Sequence, residues 1–529
     1  MFNSCNGLTL ASTLINLGLT QVVVMREPIH NTVAQKFLVQ FLQGLATHRD
    51  VHEAMIAVVQ EMKLNNALTF PSAYLIPSLF RHREAALFRI KPWGLKQFLR
   101  QLLPKRKEAV ILGTLLTLSL LPPIQALLIE PRLAVQALYR HLTQQMPKTV
   151  SPPVLLVQID SESLRQAQIK ADKINPLDRR YLGHIVQKIS VQPHRVIGID
   201  YLLDRPTPED PTFLVTIRTL AEQGIWPVLA SSQGLDEKQQ SFTGMDSRGR
   251  WSLSASIDFH LGYMELPSAT DQCPERCPFA YVLAMIQTLN RFVPSSPAPK
   301  QHSPLSRAMK FEQWRTQMLR THPQQSRAAF WNQPQFRLHP VTVFSQQIGQ
   351  LWLQPILDFS VPPTQVYERI PAWQVLGAST HPASLAENHQ QIVILASGGY
   401  EEADDNFAVP LALRVWQQLE EKPNLHSAVF TGSEYHAYMI HHLLSQRLVM
   451  PIPDLWMIGI AVLLGKGVAL GIRSGRSPRY VLVGLWGGTL VYGMLSLQVY
   501  ISSAVLLPWL LPSLAVWGYV FPVLREGRG

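Results

Sequence analysis

Two aspartates stand where a ligand site in an α/β domain would need them. Asp160 follows the apolar run VLLVQI (154–159), and Asp200 falls near the end of RVIGIDYLL (195–203). If both runs are strands of one parallel sheet, their carboxylates face the crevice outside the strand carboxyl ends, where open α/β sheets usually bind ligands. The alternative is structural, because aspartate also caps helices and loops. Cys5, in FNSCNGLTL, lies between a strand-like start and a helix N-terminus, a place where the helix dipole would stabilise a thiolate. Cys273 and Cys277, in DQCPERCPF, suit a short-loop disulfide or two free thiols. Zinc would need a second ligand pair at finger spacing, which the sequence lacks. His436, His441 and His442 suggest a metal by type alone. Their offsets do not bring three rings to one helix face, so packed or hydrogen-bonded histidines are expected, with no metal and no cofactor.

Alternating elements from Pro153 onward must position these residues. VLLVQI has the pattern of a buried strand, and LDRRYLGHIVQKI (177–189) carries Leu182, Ile185, Val186 and Ile189 at helical spacing. RVIGIDYLL is strand-like again, PTFLVTIRTLAEQ (211–223) helical, and PVLAS (227–231) a third strand. This order predicts a parallel βαβαβ unit with right-handed connections, and QIVILAS (391–397) is expected to join the same sheet. Between Thr288 and Pro340 the composition shifts to Pro, Ser, Gln, Arg and His, as in a flexible insertion. Near the start, LTLASTLINLGL (8–19) reads as a helix and QVVVM (21–25) as a buried strand. Amphipathic helices follow over 30–46 and 51–63.

Two apolar blocks flank the polar middle region. Ala109 to Ile129 is free of charge and long enough for a hydrocarbon core, although Pro122-Pro123 implies a kink or an early end. The C-terminal block divides into three further spans, 455–472, 480–499 and 503–524, because the stretch from Tyr480 to Leu524 exceeds one tilted helix. Lys466 within the second span either has a functional partner or is merely tolerated. Lys96, Arg100, Lys105, Arg106 and Lys107 precede the first span, Arg473, Arg476 and Arg479 separate the second and third, and Arg525 and Arg528 follow the fourth. Four spans put all these clusters on the cytoplasmic side with both termini, and the middle region outside. The net charge of +11 lies largely in these clusters. Attraction to anionic lipid accounts for them, and no recognition motif supports nucleic-acid binding. A transporter is disfavoured, since one span carries a charge and no inverted repeat is evident.

Several motifs resemble the type-two CHASE domains, which are bacterial extracytoplasmic sensory modules. They are VLLVQIDSESL (154–164), RVIGIDYLL (195–203), YERIPAWQVL (367–376), IVILASGGYEEADDNFAVP (392–410) and FTGSEYHAYMIHHLL (430–444). The resemblance implies an α/β sensory domain with parallel βαβ units over 130–450, set between transmembrane helices. It draws attention to Asp160, Asp200, Asp405, Pro410, Gly432 and His436; Asp404 and Asp405 also end a glycine-bearing loop after a strand, where ligands often sit, so Asp160, Asp200, Asp404, Asp405 and His436 are the ligand-binding candidates. FNSCNGLTLASTL (2–14), QVVVMREPIHNTVAQKFLVQFLQGL (21–45) and FPSAYLIP (70–77) resemble the C-terminal part of a CHAT domain, a caspase-like α/β fold. By that resemblance residues 1–85 form a partial CHAT domain, with 86–108 a basic juxtamembrane linker, and Cys5 takes the nucleophile position. The partner histidine is absent, and His30 does not match its place. The expected explanation is a start upstream of Met1, with a degenerate remnant as the alternative.

Together these features describe a multi-pass protein of the bacterial plasma membrane that senses an extracytoplasmic small molecule or physical stimulus. It would pass the signal to a cytoplasmic effector protein, with the bilayer and a second copy of the chain as further expected partners. The alternative is a membrane-tethered caspase-like cysteine peptidase or pseudopeptidase regulated by the sensor. Alkaline phosphatase fused at about residue 300 should be active and at residue 529 inactive; the reverse pattern would reject the topology.

Overall fold

The computed structural model describes residues 7–65, 70–90, 103–146, 151–191, 195–232, 251–267, 277–292, 311, 339–377, 391–420, 429–473 and 478–526. The chain divides into two units, Met1–Lys105 and Arg106–Gly529. In the first, strand β1 (Gln21–Met25) pairs antiparallel with β2 (Pro77–Arg81). Helices Gly7–Asn16, Asn31–Ala46 and Val51–Asn65 accompany them. Val33, Phe37, Phe41 and Leu45 recur every fourth residue and bury one stripe of the second helix, which meets Val51, Ala54, Val58 and Met62 of the third. His30 acts locally. Its ring nitrogen accepts from the Thr32 amide as the N-cap of Asn31–Ala46, and the ring packs 5.4 Å from Phe70.

The second unit is organised by a six-stranded, fully parallel sheet. Its strands are β3 (Val154–Ile159), β4 (Val196–Asp200), β5 (Trp226–Ser231), β6 (Leu253–Ser256), β7 (Tyr367–Pro371) and β8 (Ile392–Ser397), in the spatial order β6-β5-β4-β8-β3-β7. Strand β8 does join the sheet, but it inserts between β3 and β4, which therefore do not touch. The edge strands β6 and β7 escape a reading by hydrophobic runs, because LSAS is small and polar and YERIP is amphipathic. Every residue of β3 and of β8 is buried, as expected of strands covered on both faces. Alternation divides them: Val154, Leu156, Ile392 and Ile394 pack under helices Phe279–Phe292, Leu411–Leu419 and Gly432–Leu444. Leu155, Val157, Val393 and Leu395 pack under helices Arg179–Ser190 and Asp210–Glu222. The expected insertion over 288–340 falls almost wholly outside the described residues.

The apolar helices correct the expectation of four spans. Helices Asp454–Arg473 and Pro478–Ser503 are long and apolar enough to cross a membrane. The run over 109–129 is not one helix: Arg106–Leu120 and Pro122–Thr143 meet at 82°, and the pair adds a third span only if counted together. Two facts of peptide chemistry cause the break. Leu121, held extended before Pro122, has φ −88° and ψ 111°, and the prolines lack the amides that would continue the first helix. The carbonyls left unpaired at Ser119 and Leu120 are taken by the side-chain amides of Gln125 and Gln350, at 2.5 and 2.7 Å. The last helix, Leu510–Glu526, has 17 residues, about 25 Å, which falls short of a full span. The preceding break comes after Ser503, at a short connector whose Val505–Leu506 pairs in parallel with Met450–Pro451. Leu463, Leu464, Val483, Trp486 and Leu490 point outward and are each more than half exposed, an apolar surface suited to lipid.

Lys466 has a partner. Its Nζ lies 2.5 Å from Glu108 Oε2, both side chains are almost fully buried, and the Tyr519 ring lies beside the ammonium. Removing one member of such a pair leaves an uncompensated buried charge. Lys466→Leu should therefore lower unfolding free energy in detergent by about 3 kcal/mol, whereas Glu108→Leu with Lys466→Leu should restore most of it. Equal melting temperatures for the single and double variants would show the pair to be irrelevant to stability.

Candidate functional site

The site lies at the carboxyl ends of β3, β4 and β8, where the connections leave for opposite faces of the sheet. The chain after β3 and β4 passes to the Arg179–Ser190 and Asp210–Glu222 helices on one face. After β8 it passes to Leu411–Leu419 and Gly432–Leu444 on the other. In open α/β sheets such a divergence is where ligand crevices usually lie. Asp160 follows β3, Asp200 ends β4, and Asp405 lies in the loop after β8, so the insertion of β8 gathers all three at one edge.

Each carboxylate is held differently. Asp160 caps helix Ser161–Gln166, its Oδ1 accepting from the Ser163 amide at 2.7 Å, so its structural role is real. Gly398, leaving β8, donates its amide to Ile159 O at 2.7 Å, and a Cβ there would lie 3.1 Å from the Asp160 Cα. A side chain there would force the backbone of Ile159 and Asp160 to give by a few tenths of an ångström. Asp405 accepts the Gly432 amide on both oxygens, each at 3.1 Å, at the start of helix Gly432–Leu444, where the positive end of the helix dipole favours a carboxylate. A Cβ on Gly432 would fall 2.4 Å from Asp405 Oδ1, so this contact requires glycine. Asp200 makes no side-chain hydrogen bond among the described residues. The loop behind it is fixed by Arg179, whose guanidinium pairs with Asp210 at 3.1 Å and donates to the carbonyls of Leu177 and Arg205.

Electrostatics couple the group. Burial, and then the negative charge of Asp405, hold the Asp200 carboxyl well above its usual range. Burial also lifts Asp405 to about 6, opposed by the Gly432 amide and reinforced by Asp404. Two phenols border the carboxylates. Burial and then Tyr400 and Asp200 raise Tyr201 well above its usual value, and burial with the charges of Glu402 and Asp405 raises Tyr400. Both therefore remain protonated donors at neutral pH. Tyr181, near Asp160, is pushed up to about 12 by burial and then by that carboxylate. Carboxylates that resist ionising together, beside neutral donors, suit a ligand bearing a positive charge or several hydrogen-bond donors.

The remaining candidates lie elsewhere or outside the described residues. Asp404 is exposed and takes the left-handed backbone, φ 51°, that closes the Glu401–Ala403 turn. The His436 ring is buried 5.2 Å from Phe279 and 5.5 Å from Phe259. His442 Nε2 accepts the Asp358 amide at 2.9 Å, while His441 stacks edge-on against His442. Among the described residues no three His, Cys, Asp or Glu side chains converge as metal ligands would. Cys277 is buried and disulfide-bonded, whereas Cys273 and Cys5 lie outside the described residues. Sequence reasoning missed Tyr201 and Tyr400, although one adjoins Asp200 and the other follows Gly398-Gly399. It also missed the buried pair of Arg140 and Asp358, 3.0 Å apart and separated by 218 positions.

The second unit thus combines a parallel α/β sheet, with three aspartates at the carboxyl ends of its central strands, and apolar helices before and after it in the chain. The CHASE2 domain family matches residues 110–471, and the chain belongs to that family of sensory domains. The match extends beyond the soluble domain into the flanking helices. No curated protein and no solved structure matches the chain.

The raised Asp405 carboxyl sets a pH dependence. Its folded-state value near 6 exceeds the ordinary 3.8, so the folded state retains a proton that the unfolded chain releases. Stability from this group is complete below about pH 4 and is lost as pH rises through 6. Asp405→Asn keeps an acceptor for Gly432 without the charge. Its unfolding free energy should exceed that of the unliganded wild type by about 2 kcal/mol at alkaline pH and match it in acid. A variant that is less stable at alkaline pH would contradict this account.

Proposed function

We propose that the chain is a membrane-anchored sensor whose extracytoplasmic domain receives a solute at Asp160, Asp200 and Asp405 and signals through its apolar helices to a cytoplasmic effector. The observation that supports this reading is the placement of helix Gly432–Leu444. Its first residue donates to Asp405 in the crevice, and its last turn presents His442 to the amide of Asp358. Asp358 pairs with Arg140, at the end of the helix that leaves the Pro122 bend. Just beyond the same helix, Arg447 donates to the carbonyls of Tyr500 and Ile501, at 2.6 Å each, at the end of the apolar helix Pro478–Ser503. A rod of 13 residues, about 20 Å long, thus spans from the crevice to two membrane-directed elements.

The chemistry at the crevice supplies a reason for movement. A cationic group between Asp200 and Asp405 would displace the retained proton and ionise both, strengthening the hold of Asp405 on the helix N-terminus. A ligand shifts the two-state balance only by its difference in affinity between the states, so this charge change is where the difference would arise. Cationic solutes screened by thermal shift on the full chain at alkaline pH should include one that stabilises the wild type but not Asp200→Asn with Asp405→Asn. The same ligand should alter hydrogen exchange around Arg140 and 356–360. Stabilisation retained in the double variant would remove the crevice from the reading, and stabilisation without altered exchange would remove the rod.

A further inference from the structure

Helix Pro122–Thr143 leaves an apolar stripe uncovered. Leu127, Val135, Leu138 and Leu142 are 64, 40, 42 and 71% exposed, and at 3.6 residues per turn they share one face with the exposed Pro131. The rest of the helix is committed to protein. Leu133 and Ala137 enter the core of the α/β domain, and Arg140 pairs with Asp358. On a third side Arg132 donates to Ser496 Oγ at 2.8 Å, Gln136 to the Leu497 carbonyl at 3.2 Å and Tyr139 to Gln498 at 3.0 Å. The helix therefore lies across the last turns of Pro478–Ser503.

Direction and length set the depth of that stripe. Before the proline break, Glu108 meets Lys466 and, further along, Leu115 packs with Ile458 and Ala461, so Arg106–Leu120 runs antiparallel alongside Asp454–Arg473. Pro122–Thr143 makes 82° with Arg106–Leu120 and so runs nearly at right angles to the direction in which the apolar helices would cross a bilayer. From its basic start Arg106–Leu120 covers 15 residues, about 22 Å, so it bends before it has traversed a hydrocarbon core of roughly 30 Å. Along Pro478–Ser503, about 20 residues from Arg479 traverse that core and end at Gln498, where Tyr139 and Gln145 supply polar partners. Both measures bring Pro122–Thr143 to the outer boundary of the core. The charges agree: Glu130 and His141, both exposed, flank the stripe on the edge nearer Ala137 and the domain, where they can reach water. We propose that Pro122–Thr143 is an interfacial helix, its stripe from Leu127 to Leu142 sunk among the acyl chains of the outer leaflet and the α/β domain seated on its other side. The bent pair is then one crossing followed by a helix in the membrane plane, and that helix joins the lipid surface to the Arg140–Asp358 pair. The inference rests on the reading that the apolar helices lie in a bilayer.

The test places the photo-crosslinking residue p-benzoylphenylalanine singly at Leu138, Leu142, Leu490 or Val215 of the full chain in phosphatidylcholine nanodiscs, and the irradiated protein is weighed by mass spectrometry. Leu490 lies on the exposed face of Pro478–Ser503, and Val215, 62% exposed, lies on the α/β domain. Lipid adducts at Leu138 and Leu142 should match those at Leu490 and exceed those at Val215 at least about tenfold, the preference of a leucine-sized group for hydrocarbon over water. Adducts at Leu490 with none at Leu138 and Leu142, yields there no higher than at Val215, or crosslinks there to a second copy of the chain would overturn the proposal. Absence of adducts at Leu490 would instead overturn the bilayer reading on which it rests.

Discussion

A buried guanidinium and carboxylate, Arg140 and Asp358, join the parts of the second unit that would otherwise be independent. Both are almost fully enclosed, and such a pair is tolerated only where the remaining donors and acceptors are also met. Arg140 Nε reaches Ser360 Oγ at 2.9 Å, Ser360 donates in turn to Asp358, and the Asp358 amide is taken by His442. Burial pushes the Asp358 carboxyl up, and the Arg140 guanidinium, with the Ser360 hydroxyl, outweighs it, so it stays below its usual range. For His442, burial dominates and lowers the ring to about 3, leaving it neutral and able to accept. These requirements fix the helix after the Pro122 bend, the segment 356–360 and the helix starting at Gly432 in one arrangement. Moving any of the three would strand a charge or a donor in the core.

The crevice depends on that arrangement through the same helix. Asp405 grips the amide of Gly432 at one end of a helix whose other end is committed to the buried pair. The crevice is the less settled partner, because its carboxyls are raised and Asp200 lacks a side-chain hydrogen bond among the described residues.

Geometry among the apolar helices follows from two local causes. The proline pair turns the first apolar run by 82°, and the two glutamines that donate to the carbonyls of its broken end, Gln125 and Gln350, come from different segments. The connector after Ser503 pairs with residues 450–451, so the last apolar helices are tied to the soluble domain by backbone as well as by Arg447.

Much of this was legible in the sequence because it is periodic or local. Buried strands 154–159 and 392–397, helices over 179–190 and 210–222, and aspartates at strand ends all follow from patterns a few residues long. Strand order did not, since nothing local says that β8 enters between β3 and β4, or that small, polar β6 and amphipathic β7 complete the edges. Hydropathy marked the apolar blocks but could not count spans, because length and continuity depend on where prolines and tertiary hydrogen-bond donors end each helix. The meeting of Arg140 with Asp358, of Lys466 with Glu108, and of Asp200 with Asp405 is long-range, and a side chain's charge states its need for a partner without naming it. The sequence alone determined which residues required burial, capping or neutralisation, since those follow from each side chain's own chemistry. Only the tertiary structure decided which distant group would meet each requirement, since that follows from the order in which the strands and helices pack.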